Sequence, residues 1–230
     1  MNRPSPVLEF KTWETIVHRS QSFQLAIVLQ TTLLLAASLV HADYLWDQPL
    51  HHVPTLLAII AFFYWAKRGT WSNASMVAMN AFFWLHILGA RYIYSFVPYD
   101  DWCKTLFGVS VSERFAFDRN HYDRLVHFAY GALATGPQVE LLARRYKLST
   151  LASHLFSFAL VLAAGALYEI LEWLLAAILA PDWAERYNGQ QGDLWDAQKD
   201  MALAAAGALM TSGLMLAGSG LCSLRKTAKI

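Results

Sequence analysis

The sequence predicts an all-α fold: a polytopic membrane helix bundle of about six transmembrane helices, with both termini cytoplasmic. Three observations predict it. First, 56% of the 230 residues are hydrophobic and only 15% are charged, against about 25% charged in an average soluble domain. Second, the apolar residues fall into runs, and a run of about 20 is long enough to cross a bilayer. Third, the charges are sorted by segment. The arm, the 67–68 turn, the 144–147 turn and the tail hold 11 of the 18 Lys/Arg and only three acids, Glu9, Glu14 and Glu140. The remaining segments hold 7 basic residues and 14 acids. Cytoplasmic segments carry the excess of Lys and Arg, so the first set faces the cytoplasm.

Taken in order, residues 1–22 form a mixed cytoplasmic arm carrying Trp13 and Ile16, and the membrane domain covers residues 23–220. The first span, about 23–40, has no small-residue cleavage site after it and reads as a retained helix. A short loop over 41–52 contains His41, His51 and His52. The second span, about 53–66, is short and ends at Lys67-Arg68-Gly69. The third, about 75–94, contains His86 and Arg91. A long loop, 95–121, follows. The fourth span, about 123–142, ends before Arg144-Arg145-Tyr146-Lys147. The fifth, about 151–179, is long enough to tilt. A polar loop leads to the sixth, about 196–217, whose run Ala202-Leu203-Ala204-Ala205-Ala206-Gly207-Ala208 would let helices approach closely in lipid. Residues 221–230 form a basic cytoplasmic tail. Cys103 and Cys222 fall on opposite membrane faces, so no disulfide joins them within one chain. No internal repeat supports an inverted-repeat transporter. The absence of a basic tract or Gly-rich phosphate loop excludes nucleic acid and nucleotide partners, leaving the lipid bilayer as the evident one.

Three polar stretches interrupt this apolar background. Asn120-His121-Tyr122-Asp123-Arg124-Leu125-Val126-His127-Phe128 puts a carboxylate and an imidazole on one helix face. Tyr168-Glu169-Ile170-Leu171-Glu172-Trp173 places two glutamates three apart. Gly192-Asp193-Leu194-Trp195-Asp196-Ala197-Gln198-Lys199-Asp200 places three aspartates at steps of three and four. The topology puts all three stretches at the outer ends of their helices. Acids in lipid cost several kcal/mol each unless paired or facing a cavity. Asp123, His127, Glu169, Glu172, Asp193, Asp196 and Asp200 are therefore expected to meet in an outward-facing pocket.

Four readings of that pocket stay open. Carboxylates and an imidazole at helical steps can hold a divalent metal ion, with Asp193, Asp196, Asp200, Glu172 and His127 as ligands. Asp123, His127, Glu169 and Glu172 can serve as catalytic acid–base groups without a metal. A proton or ion path is disfavoured because the polar groups stop halfway. Structural ion pairing is the fourth reading: Arg124 and Arg91 would pair with Glu169 or Glu172, and Asp193 would cap the last helix. Arg124, Tyr122, Trp173, Gln198 and Arg91 are the candidate substrate contacts, while Trp173, Trp195 and Tyr122 also suit interfacial anchoring. His86 suits a hydrogen-bonded core position, and His41 and His121 are expected to be solvated.

Together the three motifs resemble the YjdF-like family of uncharacterised bacterial inner-membrane proteins, over about residues 45–215. A more distant likeness is to VanZ-like membrane proteins, which show an Asp-Lys-x-x-His-Phe start where this chain has Asp123-Arg124 and His127-Phe128. The first resemblance implies a multi-pass protein of the bacterial inner membrane. The second implies a site acting on a lipid-linked or cell-envelope small molecule. The alternative class is a non-enzymatic component, such as a small-solute carrier or structural subunit.

Overall fold

The computed structural model describes residues 20–44, 48–178 and 189–227, with side chains through 218. The N-terminal arm, most of the loop before Gly189 and the side chains of the basic tail, with Cys222, lie outside the described residues. Among the described residues every regular element is helical: α1 Gln21–Ser38, α2 Gln48–Arg68, α3 Asn73–Arg91, α4 Tyr99–Phe107, α5 Val111–Phe115, α6 Tyr122–Arg145, α7 Thr150–Ile178 and α8 Asp196–Thr227.

These helices form two triplets. In the first, α1, α2 and α3 pack on one another; in the second, α6, α7 and α8 do, and α3 lies against α6 to join them. The first triplet has an apolar core around Phe62, Met76, Phe83 and Ile87. Several of its buried polar groups find partners within the bundle, which hydrocarbon favours. Gln24 Nε2 donates to the Trp71 carbonyl at 2.9 Å, and the Thr31 hydroxyl donates to Asn80 Oδ1 at 2.6 Å. Glu140, near the end of α6, accepts from the Ser72 backbone N–H and from the Ser72 and Ser75 hydroxyls at the start of α3. That carboxylate satisfies free donors at a helix N-terminus and locks the two triplets together.

Four helical stretches are long and apolar enough to cross a membrane: Gln21–Ser38, Gln48–Arg68, Thr150–Ile178 and Asp196–Gly218. The other two long helices, α3 and α6, fall outside this group. Helix α6 has its apolar run interrupted by His127, Pro137, Gln138 and Glu140, with further charges at both ends. It is also the central helix, in contact with α3, α7 and α8, so its polar groups can meet protein instead of lipid.

Several elements depart from the sequence reading. Residues 95–121 are not one loop, because α4 and α5 form a hairpin there. Asp100 Oδ1 accepts from the Ser110 hydroxyl and the Ser112 backbone N–H, and Gly108, at φ +73°, ends α4 in the left-handed region. Burial pushes the Asp100 carboxyl up, but the hydrogen bonds from Ser112 and Ser110 outweigh it and hold the group below its usual range. The hairpin exposes Leu106, Phe107, Val109 and Phe115. The second helix starts at Gln48, so His51 and His52 are buried helical residues and not part of a loop. His86 does take the core role expected of it, bonding the Thr55 hydroxyl at 2.6 Å and the Tyr94 hydroxyl at 2.5 Å.

Candidate functional site

The site is built where α6, α7 and α8 meet. Two close backbone approaches set its geometry. A Cβ on Gly131 of α6 would lie 1.9 Å from the Ala204 carbonyl oxygen, and one on Gly207 of α8 would lie 2.2 Å from the Phe128 carbonyl oxygen. Only glycine permits that contact, which is the small-residue packing expected of the last span. The Thr211 hydroxyl adds a bond to the Ala132 carbonyl at 2.8 Å. The two helices therefore run parallel in tight contact. One turn before Gly131 stands His127, and one turn before Ala204 stands Asp200. Helix α7 runs antiparallel beside them. Its Ser157 hydroxyl donates to Gln138 Oε1, which brings Glu169 level with His127.

The polar groups sort into two tiers. In the upper tier, Arg119 donates to Asp196 Oδ1 at 2.6 Å and to the carbonyls of Gln190 and Gly189 at 2.8 and 3.0 Å. Arg124 pairs with Asp193 and bonds His121 Nε2 at 2.8 Å. Lys199 reaches Asp193 at 2.6 Å. The Lys199 hydrogen bond, with the Trp195 N–H, holds the Asp193 carboxyl down at about 2. Burial, with Arg124 and Arg119 nearby, lowers the His121 imidazole.

Among the described residues the lower tier pairs with no such cation. His127 Nε2 lies 3.6 Å from Asp123 Oδ1 and 3.8 Å from Glu169 Oε1. Asp123, His127 and Asp200 each present a ligand atom, and the three atoms lie within 4.8 Å of one another. Asp200 is 2% exposed. Its Oδ1, like Oε1 of Glu169, is buried and accepts no hydrogen bond. Glu169 and Glu172 stand three residues apart on α7, and neighbouring buried carboxyls favour a proton or a cation between them.

The chain at Gly189 passes beside the cluster: at φ +65°, a Cβ there would lie 3.5 Å from Ser95 Oγ and 3.9 Å from Asp123 Oδ2. Gln191 accepts from the Asn120 N–H at 2.9 Å and donates to the Asn120 carbonyl at 3.1 Å. Asn120 in turn donates to the Val97 carbonyl and accepts from the Tyr122 N–H.

Of the residues singled out from the sequence, Asp123, His127, Glu169, Glu172 and Asp200 come together. Asp193 and Asp196 stand one tier higher, bound to guanidinium groups, because Arg119 and Arg124 reach them first. The ion pairs expected between Arg124 or Arg91 and the glutamates do not form. Arg91 stands apart, bonding the α1 carbonyls of Ser38 and Val40. Tyr122 is buried, with its hydroxyl on the Leu85 carbonyl, so it is neither an anchor nor a pocket contact. Trp173 is 66% exposed, and Gln198 is exposed on α8. His121 is not solvated: Phe117 packs edge-on against it at 4.0 Å. Asp193 accepts from the Trp195 N–H ahead of α8, close to the expected cap. Arg119, Gly189 and Gln191 were missed. The only signal for Arg119 was its place directly before the Asn120 motif.

A family model described as "Predicted membrane protein (DUF2238)" matches residues 22–219. The chain belongs to this family. It therefore joins a family of integral membrane proteins, in agreement with its four long apolar helices. The inner membrane protein YjdF of Escherichia coli (strain K12) is 36% identical over 126 residues, 54% of this chain and 56% of the relative. The match thus spans about half the length of that curated relative. No solved structure matches.

Proposed function

We propose that this is a six-span protein of the bacterial inner membrane, both termini cytoplasmic, whose Asp123–His127–Asp200 cluster binds a divalent metal ion near the outer boundary. We further propose that the site serves hydrolysis or transfer on a lipid-linked or cell-envelope substrate. The observation that carries the reading is the unpartnered Asp200 Oδ1, buried within ligand reach of Asp123 and His127. A buried carboxylate oxygen without a donor is costly, and the three cations nearby are engaged by Asp193 and Asp196. Mixed carboxylate and imidazole donors suit zinc, manganese or iron. Inner-membrane placement is supported by the relative's name, and the two further spans by the packing of α3 and α6 among the other four. The likeness to VanZ-like proteins supports an envelope substrate by analogy only.

A bound divalent ion would supply Lewis acidity toward a carbonyl or phosphoryl oxygen. The chain's own groups supply the rest. His127 Nε2 faces both Asp123 and Glu169, at 3.6 and 3.8 Å, so either carboxyl is near enough to attract the protonated ring. Glu169 and Glu172, sharing a proton, can pass it to a leaving group.

The test is metal analysis of the full-length protein purified in detergent. The wild type retains a stoichiometric transition metal. Asp200→Asn and His127→Ala lose it while keeping the cooperative thermal transition, and Trp173→Ala and Gln198→Ala keep it. A wild-type protein that neither retains metal nor gains thermal stability on adding manganese or zinc would overturn the proposal.

A further inference from the structure

A groove of about 510 Å³ opens between the C-terminal ends of α1 and α3. It lies away from the acidic cluster and owes nothing to the function proposed for it. Leu34, Ala37, Trp84, Ile87 and Leu88 line it, and Arg91 lies at its polar end. Its volume is within the range of about 300–1,000 Å³ typical of small-molecule sites. Arg91 has no carboxylate within ion-pairing distance among the described residues. Its guanidinium is held instead by carbonyls: Nη1 donates to Ser38 at 2.5 Å and Val40 at 3.0 Å, and Nη2 to His41 at 3.5 Å. A guanidinium has five N–H donors. Carbonyls take three of these bonds, so donors remain that can meet a phosphate.

We propose that this groove binds an anionic phospholipid, its acyl chain along Leu34, Trp84 and Leu88 and its phosphate on Arg91. Three observations favour a lipid over any other occupant. The groove runs beside α1, a helix long and apolar enough to span the membrane. Its cation stands where α1 and α3 both end, the level at which headgroups lie. The surrounding surface is apolar and exposed, as at Leu33, Val40 and Trp84, so the groove opens sideways toward acyl chains. A guanidinium with no carboxylate partner among the described residues, at that level, selects a phosphate of net negative charge.

The full-length protein is reconstituted into phosphatidylcholine vesicles containing either phosphatidylglycerol or further phosphatidylcholine with brominated acyl chains. Quenching of Trp84 fluorescence is read as the difference between wild type and Trp84→Phe. Brominated phosphatidylglycerol quenches Trp84 more than brominated phosphatidylcholine does, and Arg91→Gln abolishes that preference. Because Arg91 also holds the end of α1, a second variant leaves it intact: Ala37→Phe fills the groove and removes the quenching by either lipid. Equal quenching by both lipids in the wild type would overturn the proposal. So would a preference that survives Arg91→Gln or Ala37→Phe, or one that added inorganic phosphate competes away.

Discussion

The crossing of α6 and α8 at Gly131 offers the sharpest test of how the site is held. In Gly131→Ala the new Cβ would sit 1.9 Å from the Ala204 carbonyl oxygen, and ordinary contact begins at 3.4 Å. The obstacle is backbone, so the helices must part by about 1.5 Å (3.4 − 1.9). Two donors on opposite sides of an ion, at about 2.1–2.4 Å each, are at most about 4.2–4.8 Å apart. The ligand atoms of Asp123, His127 and Asp200 lie within 4.8 Å of one another. An added separation of that size draws Asp200 away from the other two, and metal affinity should fall about 10–100-fold, as when the shell supporting a ligand is disturbed. Overpacking of this kind costs about 1–3 kcal/mol, or about 2–12 °C at about 2–4 °C per kcal/mol for a chain of this size. Gly136→Ala on α6 and Gly213→Ala on α8 are the controls, since nothing lies within 4 Å of a Cβ at either position. They should match or exceed wild type, because alanine is favoured over glycine in a helix by about 0.5–1 kcal/mol. Thermal unfolding in detergent and metal titration read the two effects. If Gly131→Ala behaves like Gly136→Ala in both assays, the close crossing does not position the site.

Two other perturbations probe the upper tier. Arg119→Gln leaves the Asp196 carboxylate, 4% exposed, with only the more distant Arg124 at 3.6 Å, and should cost less than the about 3–5 kcal/mol of a fully broken buried pair; Asp196→Asn in the same chain restores part of that, as equilibrium unfolding will measure. Acidification acts in two windows. His121 has its folded value below 6.5, so stability present above 6.5 declines as pH falls past it, until the folded group itself protonates. Asp193, held at about 2 against an ordinary 3.8, contributes above 3.8 and loses its ion pairs as pH falls toward 2. Thermal unfolding against pH should show both steps; His121→Gln removes the first and Asp193→Asn the second, and profiles unchanged by either variant would refute the assignment.

Much of this was legible because hydrocarbon leaves few choices. An acid every third or fourth residue in an apolar helix has to face its own kind, so Asp123, Glu169, Glu172 and Asp200 could be brought together without coordinates. The approach of α8 to α6 was readable from Ala204 and Gly207, though not its partner Gly131, which looks like any other helical glycine. The start of α2 was misplaced because Pro54 marks a first turn more often than an interior; here the helix extends upstream of it and buries His51 and His52. The hairpin of α4 and α5 was invisible because nine- and five-residue helices hardly register against polar loop composition. Which arginine meets which aspartate depends on where Gly189 to Gln191 fold back, and no periodicity encodes that.

The division into tiers yields one more discriminating measurement. Arg119, Arg124 and Lys199 are committed to Asp193 and Asp196, so among the described residues no guanidinium or ammonium group pairs with the lower four carboxyls. Their charge has to be balanced by protons, by an external cation, or by an exchange of one for the other. If metal enters a cluster that holds protons, those protons must leave, because ligands bind deprotonated. Adding manganese or zinc to metal-stripped wild type in weakly buffered solution should acidify it in proportion to the metal bound. Asp200→Asn, which removes one acid but leaves His127 and Asp123, should bind less and release less. Metal uptake with no proton release would mean that the carboxyls stand ionised against some other charge, and the two-tier reading would fail. Release without any dependence on Asp200 would place the exchange at another group and detach the metal from this cluster.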